Sequence, residues 1–467
     1  MDLQNALLSY LTKIFNCEHG DKILLLDDYT TQIIGLVISF TEIIKKDIFL
    51  VGNVKTVEIH KQLHIPIIII ITPESIPELT KILKCSTIKN IHLYLTESIT
   101  KNHLQEIAKF DIYNKIVNIT EMYINYQPIE QFIFLVKKRT DLLHVLLSFK
   151  CYPANLVTDK SQIGIELNSI MAPHGFRPRP NEYFLTYNRN DDPITPLLCS
   201  WDYVSLLHNQ FGITNNRIKY INSDKKQTEI IISSKEDAFF NENKFEVYDK
   251  LTENTLKLRD QYNKEIQRLE KCVENNTVDD IKKIIDSLRD YKRLKENTSK
   301  HLNLQTILSE NVSEQILQSI AEQEMLYPKF SLDLPFYQKN KKVNEKDKMI
   351  AQKIELKILY YLKNNKFYDD SLDPILQENL KKMNKTYDIK EKQNPSGLDR
   401  YEPYLARLLN KFSRNNNYTT IIIYVEGGGT YAEAKLTYEF GKKHSLNVIF
   451  GSTHILNKQM FIQQLST

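Results

Sequence analysis

Two stretches of the sequence gather side chains whose types and spacing could do chemistry. In YFLTYNRNDDPITPLLCSWDYVSLL, residues 183–207, Arg189, Asp191 and Asp192 crowd three charges into a turn closed by Pro193 and Pro196. Adjacent carboxylates could hold a cation, yet on a turn they cannot both face one ion unaided, and no histidine stands at ligand spacing. The alternative is a structural lock, in which Arg189 pairs with a carboxylate and the second Asp caps the Trp201 helix that follows. In YVEGGGTYAEAK a strand runs into Gly427, Gly428 and Gly429 before a helix opens at Thr430. Backbone amides at a helix start can hold phosphate. The Walker lysine and hydroxyl are nevertheless absent, Ala432 breaks the GxGxxG spacing, and no acidic ribose partner is placed. A tight strand-to-helix turn is the other reading. His208, His301 and His454 stand apart and are expected to be packing residues, and no Ser, His, Asp or Cys, His arrangement is evident. No catalytic residue, cofactor or metal is expected.

Composition narrows the partners. A chain of 467 residues with 42% hydrophobic content has room for about three domains of roughly 150 residues. Its 62 basic and 58 acidic residues leave a net charge of +4, so no global field favours nucleic acid or an anionic membrane. Cys17, Cys85, Cys151, Cys199 and Cys272 lie far apart without a CxxC pair, which fits reduced thiols and disfavours zinc. No apolar run approaches the ~20 residues that span a bilayer. A soluble protein that meets membranes through partners is expected. The start, MDLQNALLSYLTKIF, spaces Leu3, Leu7, Leu8, Leu11, Ile14 and Phe15 as a core helix and lacks a signal-peptide pattern.

The elements that must position these residues alternate in kind. KILLLD, a helical TTQIIGLVISFTEIIK, DIFLV, IPIIIIIT, a helix from Ser75 to Leu83, IHLYL, a short helix at 103–108 and a strand at 115–119 predict an α/β domain over residues 1–125. Ile67 to Ile71, apolar on both faces, requires helices on both sides of its sheet. Asp27 ends the first strand at the carboxyl edge where open α/β sheets usually seat ligands. Either Asp28 or Thr30 caps the next helix, or Asp27 faces a partner. A second unit holds a helix at 140–148, the Tyr183 strand, the Trp201 helix and the strand TEIIIS at 228–233. It has too few strands to close. TTIIIYV at 419–425 and LNVIFG at 446–451 supply the missing ones, which predicts a discontinuous α/β domain of 126–235 plus 400–467.

Between them, residues 236–399 differ in character, since no glycine occurs between Gly212 and Gly397. Long helices follow from that. Val247, Leu251, Leu258, Tyr262, Ile266 and Leu269 mark one amphipathic stripe, and Leu304, Leu308, Val312, Ile316, Ile320 and Met325 another. The two are expected to pair as a hairpin or small bundle. KNKKVNEKDK at 339–348 has no periodicity and is expected to be a solvated loop or, failing that, a partner patch.

Taken together, KILLLDDYTTQIIGLVISFTEIIKKDIFLV, NRNDDPITPLLCSWDYVSLLHNQFGITNNRI, KENTSKHLNL, IYVEGGGTYAEA and FGSTHIL resemble, in order and spacing, the Sec and Munc type (SM) proteins that bind SNAREs in membrane fusion. The subgroup acting with a Golgi and endosomal syntaxin is the most similar. The resemblance implies an arch of three domains: two parallel-sheet α/β domains, the second discontinuous, with an inserted mainly α-helical domain. It implies a non-enzymatic, monomeric, cytoplasmic protein, peripheral to Golgi and endosomal membranes, serving vacuolar and endosomal transport. The alternatives are an SM protein of another transport step, a nucleotide-binding enzyme using Gly427 to Gly429, and a tethering scaffold that binds no SNARE.

By the same resemblance, a syntaxin is held through the turn and helix after the first strand, at Asp27, Thr31, Gln32 and Ser39. The family often has basic groups where this chain has Gln32 and Ser39, so a polar, shape-based contact is implied. A pocket for the syntaxin N-terminal peptide falls on Leu104, Ile107, Ile119 and Tyr123, with plain core packing as the alternative. A helical hairpin for the vesicle SNARE places Tyr291 and Leu302 facing that SNARE or the hairpin core. The family's proline two residues before that tyrosine is replaced by Arg289, so the helix is expected to run straight through Ser287 to Lys292. Arg189, Asp191 and Asp192 become a structural lock, with Asn188 where the family commonly has an acidic residue. The segment 326–394 is the expected place of shortening relative to the family.

Overall fold

The isoleucine run of the sequence becomes the centre of a parallel sheet. In a computed structural model, which describes residues 2–57, 65–84, 90–151, 153–158, 179–198, 200–221, 226–275, 278–313, 354–364, 372–383, 402–412 and 418–467, the chain begins with α1 (Leu3–Phe15), capped by Asp2. There follow β1 (Lys22–Leu26), α2 (Asp28–Gly35), α3 (Phe40–Ile44), β2 (Ile48–Asn53), β3 (Ile67–Ile71), α4 (Ile76–Lys84), β4 (Ile91–Leu95), α5 (Lys101–Phe110) and β5 (Ile116–Glu121). The five strands are all parallel, in the order β2-β1-β3-β4-β5. Successive residues go to opposite faces. Leu24, Leu26, Ile68 and Ile70 pack with Leu7, Leu11, Phe15 and Ile33, while Ile23, Leu25, Ile67 and Ile69 pack with Leu79, Leu83 and Ile107. Both faces are covered, as a strand apolar on both sides demands. The single helix expected over TTQIIGLVISFTEIIK is instead two, because Ser39 takes an extended conformation and forms a capping box with Glu42 that starts α3 anew.

A second sheet is assembled from distant parts of the chain. Between α6 (Leu142–Phe149) and its neighbours run β6 (Gln127–Glu130), β7 (Ile133–Leu135), β8 (Pro153–Thr158) and β9 (Arg179–Asn188). Next come β10 (Arg217–Ile221) and β11 (Gln227–Ile231), and far downstream β12 (Thr420–Glu426) and β13 (Asn447–Ser452). The sheet order is β6-β7-β13-β12-β9-β8, parallel except for the β6–β7 pair. Thus β12 does pair with β9, with Tyr424 opposite Thr186, and closes the sheet that the local sequence leaves open. TEIIIS does not join it. As β11 it pairs antiparallel with β10 in a two-stranded ribbon, and its alternation of exposed and half-buried residues explains why it stays out of a sheet covered on both faces.

The chain divides into two compact units: 1–188 with 413–429 and 437–454, and 189–412 with 430–436 and 455–467. The first holds both sheets. The second is mainly helical, with α7 (Tyr203–Phe211), α8 (Ala238–Asn243), α9 (Tyr248–Asn275), α10 (Val278–Ser313), α11 (Ile354–Asn364), α12 (Pro374–Lys382), α13 (Tyr404–Phe412), the start of α14 (Tyr431–His444) and α15 (Lys458–Leu465). The hairpin α9–α10 buries Leu251, Leu258, Leu304 and Leu308, while Tyr262, Ile266 and Leu269 are half-buried. Val247 leaves the stripe, because it precedes α9 and its backbone bridges to Asp202, with the side chain 47% exposed. The Val312 side chain, Ile316, Ile320, Met325 and the 339–348 run lie outside the described residues. Among the described residues no helix is long and apolar enough to cross a membrane.

Gly451 shows how tightly the second sheet is packed. A Cβ there would lie 2.0 Å from the Phe134 ring, whereas at Gly35 it would meet nothing within 4 Å. Gly451→Ala is therefore expected to destabilise the protein by about 1–3 kcal/mol or more in urea unfolding. Gly35→Ala should be neutral or stabilising by up to about 1 kcal/mol.

Candidate functional site

The turn after β1 is built around Asp27. Its carboxylate caps α2 by accepting from Thr30 N (2.7 Å) and Thr30 Oγ1 (2.9 Å), and it accepts from Thr72 N (2.7 Å), Thr72 Oγ1 (2.8 Å) and Ser75 Oγ (3.0 Å). The cap is therefore Asp27, not Asp28 or Thr30, although Thr30 completes the capping box. Burial pushes the Asp27 carboxyl up, but the bonds from Thr30 and Thr72 outweigh it and hold the group below its usual range. Asp28 points outward to Lys55 Nζ (2.7 Å) and Asn53 Nδ2 (2.8 Å). Thr31 and Gln32 are exposed and Ser39 half-buried, so these three present side chains to solvent whereas Asp27 does not.

The second group divides likewise. Leu104 is exposed, Ile107 is buried, Ile119 packs against the core cluster of Ile69, Leu79 and Ile107, and Tyr123 donates to Glu121 Oε2 (2.6 Å) with its ring edge on His144. Leu104 is therefore the member that fronts solvent. Ile112, Tyr113 and Val117, also exposed in the turn and edge strand beside it, escaped the sequence reading. A period-two count along β5 would have marked Val117 as outward.

On the hairpin, α10 runs unbroken through Ser287 to Lys292, as the absence of proline at Arg289 allows. Tyr291 stacks on Tyr262 with centroids 5.8 Å apart and hydroxyls 3.4 Å apart, and Leu302 is half-buried. Toward its C-terminal half α10 is pinned by His301, which bonds Tyr203 Oη (2.9 Å) and Asp237 (2.8 Å), while Lys300 also pairs with Asp237.

The charged turn is held by a carboxylate that lies far away in the sequence. Arg189 forms a bidentate pair with Glu433, at 2.6 and 3.0 Å, both side chains being buried. Asp192 accepts from Ile194 N (3.2 Å), Thr195 N (3.0 Å), Thr195 Oγ1 (2.6 Å) and Tyr404 N (2.9 Å). Asp191 lies half-buried in the 3-10 turn Arg189–Asp191. The helix after Trp201 is capped by Asp202, through Ser205 N at 3.0 Å, and not by Asp192. Glu433 also accepts from Thr430 N and Thr430 Oγ1, both at 2.9 Å. That capping box was legible as T-x-x-E at 430–433, a signal that points to Glu433.

The remaining candidates form no reactive group. Gly427 and Gly428 take left-handed φ values of 86° and 103°, which glycine adopts without strain. The Gly429 amide donates to His454 O and Ser452 Oγ, both at 2.9 Å, so it is committed to the protein. A tight turn is what remains. His208 accepts from Ile213 N (2.9 Å) and donates to Ile455 O (3.2 Å), and burial lowers its pKa to about 4. His454 bonds Thr453 Oγ1 at 2.9 Å. Cys17 and Cys151 are free thiols, and Cys85 and Cys199 lie outside the described residues. Among the described residues no cluster of His, Cys, Asp and Glu is arranged to hold a metal ion.

Removing one partner of the buried pair leaves an uncompensated charge. Arg189→Met or Glu433→Leu alone should cost about 3–5 kcal/mol in denaturant unfolding. The double variant should recover most of that loss.

Comparison with known proteins identifies the family. The model of the Sec1 family matches residues 22–418 and 404–464. Vacuolar protein sorting-associated protein 45 of Dictyostelium discoideum is 24% identical over an alignment of 553 positions, covering 100% of this chain and 97% of the relative. The protein of that name from Homo sapiens is 22% identical, with coverage of 100% and 96%. In fold, the chain is similar to the SM protein Vps45 solved in complex with the Qa SNARE Tlg2, with a TM-score of 0.82 at 20% identity and coverage of 100% and 98%. It is also similar to Sly1p in complex with an N-terminal peptide of Sed5p, with a TM-score of 0.74 at 15% identity and coverage of 100% and 98%. By the family match over most of its length, the chain belongs to the Sec1 family.

Proposed function

We propose that the chain is a SNARE-binding chaperone of endosomal and vacuolar transport that holds a Golgi or endosomal syntaxin and aligns it with a vesicle SNARE. The observation that supports this most is the combination of Sec1-family membership with end-to-end likeness, in sequence and fold, to Vps45, a relative solved with a Qa SNARE. The mechanism is preorganisation. A hairpin that is already helical and laterally packed lowers the ordering cost that SNARE helices meet when they pair. No covalent step is required, and the Gly429 amide, committed to the protein, fits this role better than phosphate binding.

The reading divides the chain into domains of 1–125, 126–235 with 400–467, and 236–399. It assigns the exposed Thr31 and Gln32, with Ser39, to syntaxin contact, while Asp27 shapes the turn that presents them. Leu104, with the wall behind it formed by Ile107, Ile119 and Tyr123, is assigned to the syntaxin N-terminal peptide. Tyr291 and Leu302 are assigned to the vesicle SNARE. The protein works as a monomer in the cytoplasm, held at Golgi and endosomal membranes by its syntaxin.

Co-purification with each syntaxin-type SNARE of its own cell tests this. At least one should be retained at equimolar ratio, and retention of none would sink the assignment. Leu104→Asp should abolish only the part of the affinity that depends on the syntaxin N-terminal peptide. Tyr291→Ala should weaken vesicle-SNARE binding and leave syntaxin binding intact. A panel of nucleotides should leave the melting temperature unchanged, since a ligand of the native state would raise it.

A further inference from the structure

The strand order β2-β1-β3-β4-β5 places the chain reversal between β1 and β3. In open parallel sheets of this order, the crevice at the carboxyl ends of those two strands is where ligands are seated. Here the crevice is filled from within. The Asp27 side chain, 2% exposed, leaves the end of β1 and lies across to the end of β3. Five donors converge on its two oxygens. Thr30 N and Thr30 Oγ1 reach Oδ1, and Thr72 N, Thr72 Oγ1 and Ser75 Oγ reach Oδ2, all between 2.7 and 3.0 Å. Asp27 takes part in none of the described ion pairs, and the nearby Lys55 is bound to Asp28.

A buried carboxylate without a cation is tolerated only when its lone pairs are filled by aligned dipoles. That is also the physical definition of an oxyanion site. The donors do not owe their positions to Asp27 alone. Thr30 Oγ1 shares its single proton between Asp27 Oδ1 and Ile70 O, each at 2.9 Å, Thr72 directly follows β3, and Ser75 ends the 3-10 turn Pro73–Ser75. We propose that the β1/β3 switch point is a carboxylate-binding cradle and that Asp27 is its built-in ligand. The native chain is therefore closed at this point to external phosphate-bearing or carboxylate ligands. Taking the side chain away leaves a cradle of a size and polarity that suit formate. Acetate, one methyl larger, fits less well against the remaining Cα.

The test uses the full chain with Asp27→Gly, titrated with sodium formate, acetate and chloride at constant ionic strength while thermal unfolding is followed. The variant should melt well below the native protein. Formate should restore part of the loss in a saturable way, acetate less and chloride not at all, while the native protein shows no specific response. A formate response in Asp27→Gly no larger than in the native chain would overturn the proposal. Should that variant fail to fold, Asp27→Asn decides. It keeps the shape but turns an NH2 toward donors, so it should melt lower than the native chain and ignore formate. Equal stability of Asp27→Asn and the native protein would show that the donors do not hold an anion, and would overturn the proposal as well.

Discussion

Arg189 and Glu433 meet as a fully buried, bidentate ion pair, 244 residues apart in the chain. Neither charge could stay in the interior alone, since each would forfeit its hydration for nothing. The pair therefore fixes the turn after β9 against the first turn of α14. Asp192 extends the same constraint by accepting from the Tyr404 amide at the head of α13. Chain segments that flank a long insertion are brought together by two acidic side chains and one arginine. Glu433 has a second duty as the N3 residue of the α14 capping box, so one carboxylate both starts a helix and joins distant segments.

The same economy runs through the groups that looked reactive. Asp27 stands where doubly wound sheets seat ligands, yet its oxygens are taken up by five internal donors. The amide of Gly429, at the head of a helix, is bonded to the strand-end residues Ser452 and His454. His208 is buried and neutral, and His301 links Tyr203 to Asp237. What the fold leaves to solvent is of another kind: Thr31 and Gln32 on one turn, and Leu104, Ile112 and Val117 beside an edge strand. In the proposed role the locked interior matters because a template lowers a partner's ordering cost only if it is itself ordered beforehand.

Much of this was legible in the sequence wherever the signal was periodic or compositional. Leu3, Leu7, Leu11 and Phe15 marked α1, and the isoleucines of β3 demanded a sheet covered on both faces. The absence of glycine between Gly212 and Gly397 favours the long helices α9 and α10. The orphan strands near Thr420 and Asn447 point to a discontinuous sheet because strands need partners. What was hidden depended on contacts between distant residues. Nothing near Arg189 names Glu433, and the donors to Asp27 from Thr72 and Ser75 follow only once β1 and β3 are adjacent. Strands as short as Ile133–Leu135 carry too few residues for a period to show. TEIIIS reads as a sheet strand from its three consecutive isoleucines, and only the structure shows that its residues alternate between exposed and half-buried. Family resemblance supplied the partner class, whereas burial separated Asp27 from Thr31 and Gln32, and Leu104 from Ile107.

In the proposed role the chain speeds productive SNARE pairing by holding helices in register. The most direct measurement is the rate of SNARE assembly followed by energy transfer between labelled cytosolic domains, with and without stoichiometric protein. Templating predicts an acceleration of roughly tenfold or more, as expected when a bimolecular encounter becomes intramolecular on a shared surface. The acceleration should be lost with Tyr291→Ala. An unchanged rate with syntaxin demonstrably bound would contradict the account.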